Sequence, residues 1–181
     1  MSAAGSTRAT RRVPGTPILA TVLAVLLGAC AASPTQTTAD SASPGLPAVT
    51  LGILGQDEQV ETTSWEGQPT VVNFWATWCA FCVEEMPDFQ TVADDVGARV
   101  RFVGVDREDR VEEALELARR TGVTYTLVED PDGAFFRAVS GRGMPTTLFV
   151  AADGTVVYAH AGPLSERRLR ELITEHFGVE T

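Results

Sequence analysis

Two cysteines, Cys79 and Cys82, stand two residues apart in the segment Trp78-Cys79-Ala80-Phe81-Cys82. A thiol attacks as its thiolate, so its surroundings decide its chemistry. The pair falls where the β-branched and aromatic run Val71-Val72-Asn73-Phe74-Trp75 gives way to a stretch with helical spacing. A thiol in the first turn of that helix faces unpaired backbone N–H groups and the positive end of the helix dipole, which favours thiolate. The i, i+3 spacing returns the second sulfur to the same side, within reach of a disulfide. One thiolate can then attack a substrate disulfide while the other resolves the mixed disulfide. Cys79, at the exposed start of the helix, is the expected nucleophile. Cys82, one turn inside, is the expected resolving partner.

Other uses of the pair fit less well. A zinc site needs two more ligands, and the chain has no second Cys pair. Its two histidines, His160 and His176, lie far from any finger-like spacing and read as surface or packing residues. An inert disulfide would close almost no loop and add little stability. A Cys–His hydrolase lacks a base paired with Cys79, and Cys82 offers an immediate resolving thiol. No metal and no cofactor beyond the redox-active disulfide are expected.

The elements that must position the pair alternate strand and helix. Buried strands are predicted at 71–75 and 100–105. Between them, residues 80–96 carry Val83, Met86, Phe89, Val92, Ala93 and Val96 at helical spacing. Asp109 is a ready cap for a second helix over 110–120, followed by a strand near 126–128 and a helical turn at 132–139. A hairpin pairs 147–150 with 156–159 across Asp153-Gly154. Ser165 and Glu166 open a closing helix that runs to Phe177, and strands near 49–53 and 59–61 form an edge hairpin at the start. The expected fold is α/β with a central mixed sheet flanked by helices.

The run from Val72 to Pro87, VNFWATWCAFCVEEMP, resembles the active-site segment of the TlpA/ResA/CcmG group of thioredoxin-like proteins, which are extracytoplasmic thiol–disulfide oxidoreductases commonly tethered to the membrane. Gly143-Met144-Pro145-Thr146-Thr147-Leu148-Phe149-Val150 is similar to the group's cis-proline loop and the strand after it. The likeness extends over nearly all of 46–178. It implies a thioredoxin-like fold with an N-terminal β-hairpin and an added helix and strand at 110–130. It also implies a cis Pro145 against the sulfurs, substrate contacts from Trp78, Met144 and Thr146, and strand addition by a substrate on the Met144 backbone. Glu85 falls where the group often carries an active-site glutamate, able to pass a proton or raise the thiol pKa. The competing reading makes Glu84 and Glu85 surface acids near a positive helix end. Asn73 replaces the buried aspartate usual in cytoplasmic thioredoxins, which removes that proton route. Pro87 is expected to kink its helix. The dipeptide Ala80-Phe81 departs from the group's frequent proline, so both directions of electron flow stay open.

The front of the chain reads as a lipoprotein-type signal peptide over 1–29. Arginines at 8, 11 and 12 precede the apolar run Ile18–Leu27 and the small residues Gly28-Ala29. From Ile18 to Ala32 there are 15 residues, where a spanning helix needs roughly 20. Leu27-Gly28-Ala29-Cys30 resembles a bacterial lipobox, making Cys30 the expected lipid-attachment site. Ordinary cleavage, giving a soluble secreted protein, is the alternative. Residues 30–45, rich in Ala, Ser, Thr and Pro, read as a flexible linker, and 46–181 as one thioredoxin-like domain.

All 14 basic residues are arginines, against 24 acids, and the three before Cys30 leave 11 minus 24, a charge of −13, beyond it. Nucleic-acid binding, which needs a basic footprint, is excluded on that balance. The expected partners are exported protein dithiols or disulfides, with apocytochrome c among them, a membrane thiol electron carrier, and the membrane itself through the lipid. The leading reading is a tethered reductase serving cytochrome c maturation. A disulfide-forming oxidase or isomerase is the second, and a copper chaperone the non-enzymatic third.

Overall fold

The computed structural model describes residues 44–181. The signal segment, Cys30 and nearly all of the linker lie outside the described residues. Along the chain run β1 (Thr50–Ile53), β2 (Gln59–Glu61), β3 (Thr70–Trp75), α1 (Ala80–Val96), β4 (Arg101–Arg107), α2 (Val111–Thr121), β5 (Thr126–Asp130), α3 (Ala134–Ala138), β6 (Thr146–Val150), β7 (Val156–Ala161) and α4 (Glu166–Phe177). One mixed sheet takes the order β2-β1-β5-β4-β3-β6-β7. Strands β3, β4 and β5 are parallel, and the remaining pairings are antiparallel. The starting hairpin is β1–β2, and the helix and strand expected at 110–130 are α2 and β5.

All six residues of β3 are buried, as a near-continuous apolar run requires when both faces of a strand are covered. On one face Phe74 packs against Phe135 and Phe136, with ring centroids 5.3 and 5.2 Å away. On the other, α1 and α4 bring Phe89, Val92, Leu169, Leu172 and Ile173 against Val71 and Phe149. Truncating a ring as fully buried as Phe89 would cost about 3–5 kcal/mol. Close approach also fixes Gly104 in β4. A Cβ there would meet Leu127 Cδ2 at 2.6 Å, Trp75 Nε1 at 3.0 Å and the Tyr125 ring at 3.1 Å.

The register brings three loops to one end of the sheet. Trp75, which ends β3, lies beside Asp106 of the parallel β4. The antiparallel β6 begins there, with Thr146 opposite Phe74. The loops 76–79, 108–110 and 143–145 therefore meet above the carboxyl ends of β3 and β4.

One expected cap is not made. Arg110 occupies the N-cap of α2 and makes no side-chain cap bond, while Asp109 turns to Thr77 instead. Two hydrogen bonds to another loop outcompete one cap bond. Pro87 lies inside α1, which continues to Val96.

Candidate active site

Cys79 is the N-cap of α1, and its Sγ accepts from the Cys82 N–H at 3.3 Å. The two sulfurs form a disulfide. Cys79 retains 6% of its surface and Cys82 none. Cys79, the expected nucleophile, is thus more covered than a helix start predicts: with Cys82, Ala76, Met86, Ala114 and Leu117 it belongs to one buried apolar cluster, against which Met144 packs. The order of access still favours Cys79. Trp78 and Phe81 on either side are each 59% exposed, an apolar collar around an almost buried disulfide.

The Met144–Pro145 bond is cis. Pro145 is buried, and its carbonyl accepts from Gly162 N–H at 2.9 Å. Thr146 is also buried, with its hydroxyl donating to the Gly143 carbonyl at 2.6 Å. That hydroxyl is occupied within the loop. Of the three residues expected to contact substrate, Trp78 and Met144 keep exposed surface.

Glu85 is not a surface acid. It is 3% exposed, one turn after Cys82 on the inner side of α1. Its Oε2 accepts from Leu164 N–H at 2.8 Å, and its Oε1 from Asn73 Nδ2 at 2.9 Å. Asn73 Nδ2 also reaches Thr147 Oγ1 at 3.2 Å. Burial pushes the carboxyl up to about 7, against the lowering pull of the Leu164 and Asn73 hydrogen bonds, and the Asp88 charge adds to the rise. Asn73 thus supports a neighbouring acid in place of being one.

Asp106, which the sequence reading missed, and Asp109, which it took for a helix cap, lie at the same end of the sheet. Asp106, 3% exposed, is pushed up to about 8, first by burial and then by hydrogen bonding to Asp109 and the charges of Asp109 and Glu129. Asp109 accepts from the Thr77 N–H at 2.5 Å and the Thr77 hydroxyl at 2.7 Å. The histidines lie on other elements: His176 of α4 stacks on Tyr158 at 4.7 Å, and His160 is in β7.

The Redoxin family profile matches residues 40–173. The chain belongs to the Redoxin family. It is 27% identical over 161 residues to the sporulation thiol-disulfide oxidoreductase A of Bacillus subtilis, covering 87% of this chain and 97% of that one. It is 32% identical over 110 residues to the thiol:disulfide interchange protein DsbE of Xylella fastidiosa, and that match covers 60% of this chain but 55% of the relative. Among solved structures, that of Mycobacterium tuberculosis (MTB) dsbF in its mixed oxidized and reduced forms superposes with a TM-score of 0.68 at 28% identity, covering 74% of this chain and 98% of that one. This Redoxin member is a thiol–disulfide oxidoreductase of thioredoxin-like fold, of the DsbE/CcmG/ResA type.

Proposed function

We propose that the protein is a membrane-tethered reductase of disulfides in exported proteins, with apocytochrome c as the substrate class and a membrane thiol carrier as electron source. The observation that carries the direction is Glu85. A pair whose thiolate is strongly stabilised is an oxidant, because its reduced form is favoured. A buried carboxyl one turn from Cys82 works against a second negative charge. It raises the thiol pKa, disfavours the reduced form and lowers the potential. The charge of −13 beyond Cys30 suits a basic partner.

In the proposed turnover the Cys79 thiolate attacks one sulfur of the substrate disulfide. A mixed disulfide forms and one substrate thiolate leaves. The Cys82 thiol gives up its proton, with Glu85 as the nearby acceptor, and its sulfur attacks Cys79 Sγ. The second substrate thiolate departs, and the Cys79–Cys82 disulfide remains. Two electrons have passed to the substrate, whose thiolates take up two protons. The membrane carrier returns two electrons to the pair. Trp78 and Met144 flank the extended substrate segment, and Pro145 keeps other groups off the sulfurs.

The test is the reduction potential of the pair, measured by equilibration with a dithiol of known potential. A reductase requires a value below roughly −180 mV, and Glu85→Gln should raise it. A wild-type value above that mark assigns the protein to disulfide formation or isomerisation instead.

A further inference from the structure

The segment that joins β7 to α4 is tied to the site at three points. Gly162 N–H donates to the Pro145 carbonyl at 2.9 Å, one step beyond Thr146 and Ala161, the end pair of the β6–β7 register. Leu164 N–H donates to Glu85 Oε2 at 2.8 Å, and Glu166 N–H to Asp88 Oδ2 at 2.9 Å. The first bond holds the loop of Met144 and Pro145. The other two hold α1, the helix that begins at the cysteines. Leu164 is buried in one apolar cluster with Val71, Phe89 and Leu169, which fixes the middle of the segment. At Gly162 φ is +104°, a conformation that residues with a Cβ rarely adopt. This reversal lets one N–H face Pro145 while the next ones along face α1.

We propose that residues 162–166 form a brace that fixes the Met144–Pro145 loop against α1, with Gly162 and Asp88 as positioning residues for the binding of protein disulfides. Met144 packs on the buried cluster that holds Cys79 and Cys82, so a polypeptide whose disulfide reaches Cys79 has to run over it. The brace keeps Met144 where that polypeptide meets it. A loop released from the brace samples other positions, and the apparent affinity falls with the fraction of molecules that hold it in place. The proposal deepens the reading in which Met144 flanks the substrate, and it is independent of the direction of electron flow.

The attacking thiol has ties of its own. Cys79 N–H donates to the Ala76 carbonyl at 3.1 Å, and Thr77 in the same turn is held by Asp109. Loosening the brace therefore weakens the grip on a polypeptide and leaves the reactivity of Cys79 toward small disulfides in place. That split separates a positioning role from a general loss of structure, which would slow both.

The experiment mixes reduced protein with a synthetic peptide carrying a Cys-x-x-Cys disulfide and follows the exchange rate against peptide concentration, with cystamine as the small disulfide. No atom lies within 4 Å of a Cβ at Gly162, so Gly162→Ala acts through the backbone alone. Gly178→Ala is its control, because Gly178 also has a positive φ (+65°) and open space but ends α4. Gly162→Ala should raise the half-saturating peptide concentration about fivefold, with the saturating rate and the cystamine rate unchanged. Asp88→Ala should raise it about threefold, and Asp88→Asn should restore it, since an amide oxygen still accepts from Glu166 N–H. In the oxidised protein, hydrogen exchange at the Leu164 amide should quicken in Gly162→Ala and Asp88→Ala and not in Gly178→Ala. Should Gly162→Ala fail to fold, the two Asp88 variants carry the same comparison. A wild-type half-saturating concentration in both Gly162→Ala and Asp88→Ala, an equal rise in Gly178→Ala, or a parallel loss of the cystamine rate overturns the brace. Absence of saturation by the peptide in the wild-type protein overturns the reading of Met144 as a substrate contact and the brace with it, and is distinct from saturation that the variants leave unmoved.

Discussion

Replacing Glu85 by glutamine should make the protein more stable above neutral pH and leave it nearly unchanged in mild acid. The native carboxyl, at about 7 against an ordinary 4.5, keeps a proton that the unfolded chain has already lost between those values. Stability therefore falls as pH rises through that window and levels off above 7. The displacement corresponds to about 3 kcal/mol. A neutral amide escapes that loss if its hydrogen bonds can be met. The oxygen of the introduced amide can accept from Leu164 N–H, and its nitrogen can donate to Asn73 Oδ1, which has no partner among the described residues. The rearrangement requires the Asn73 amide to turn over, at the expense of its bond to Thr147 (about 1 kcal/mol). The net expectation is a gain of about 2 kcal/mol at pH 8.5 and a change within about 1 kcal/mol at pH 4.5. Urea unfolding of both disulfide-intact proteins at these two pH values measures it. Asp106 also titrates, but it contributes equally to both proteins and drops out of the difference. Parallel stability–pH curves for wild type and variant would refute the reasoning, since they would mean that Glu85 is ionised in the fold as readily as out of it.

Cys79→Ser should abolish disulfide exchange, while Cys82→Ser should trap mixed disulfides with exported partners; iodoacetamide labelling at mildly acidic pH should strike Cys79 first, and preferential labelling of Cys82 would reverse the roles. Cys30→Ala should abolish lipid labelling and impair maturation, and a mature wild-type protein with an unmodified Cys30 by mass spectrometry would exclude the anchor. Gly104→Ala should destabilise the domain by about 1–3 kcal/mol, because the new Cβ presses on Trp75 and Tyr125 as well as on the flexible end of Leu127. A melting temperature equal to wild type would mean that β4 has room to shift.

The redox pair and the order of elements were legible because each rests on local pattern: a strand-to-helix junction, periodic apolar residues, a turn dipeptide. Glu85 was legible in part. Cys82, Glu85, Met86, Phe89, Val92 and Val96 are all buried at three-to-four spacing, so helical geometry alone separates Glu85 from its exposed neighbour Glu84. A ranking of residues by polarity hides that stripe. Asp109 was misread because its place just before a helix fits capping grammar. Its real partner, Thr77, lies 32 residues earlier, and only the parallel register of β3 and β4 brings the two loops together. Asp106 is the last buried residue of a strand whose other inner residues are apolar or glycine, and nothing local marks its carboxyl for burial. These are tertiary facts. Single-chain periodicity has no access to them.

The route by which the chain joins the domain has a consequence for where the disulfide can be presented. The Val156 N–H donates to Pro44, Leu46 N–H to Gly154, and Gly45 is bridged to Thr155. The chain is thus stitched in at the β6–β7 turn. Thr70 and Val150 are opposite one another in the register, so this turn lies at the pole of the sheet remote from Cys79, about 20 Å away along a six-residue strand. The described chain therefore enters the domain at the pole opposite the disulfide. With the proposed lipid on Cys30, the stretch from Cys30 to Pro44 would reach at most about 50 Å, and it would join the domain at the pole away from the disulfide. The proposed membrane carrier would then have to reach a disulfide on the far side of the domain from its attachment. Shortening this stretch should therefore slow recharging of the pair before it slows the encounter with clients.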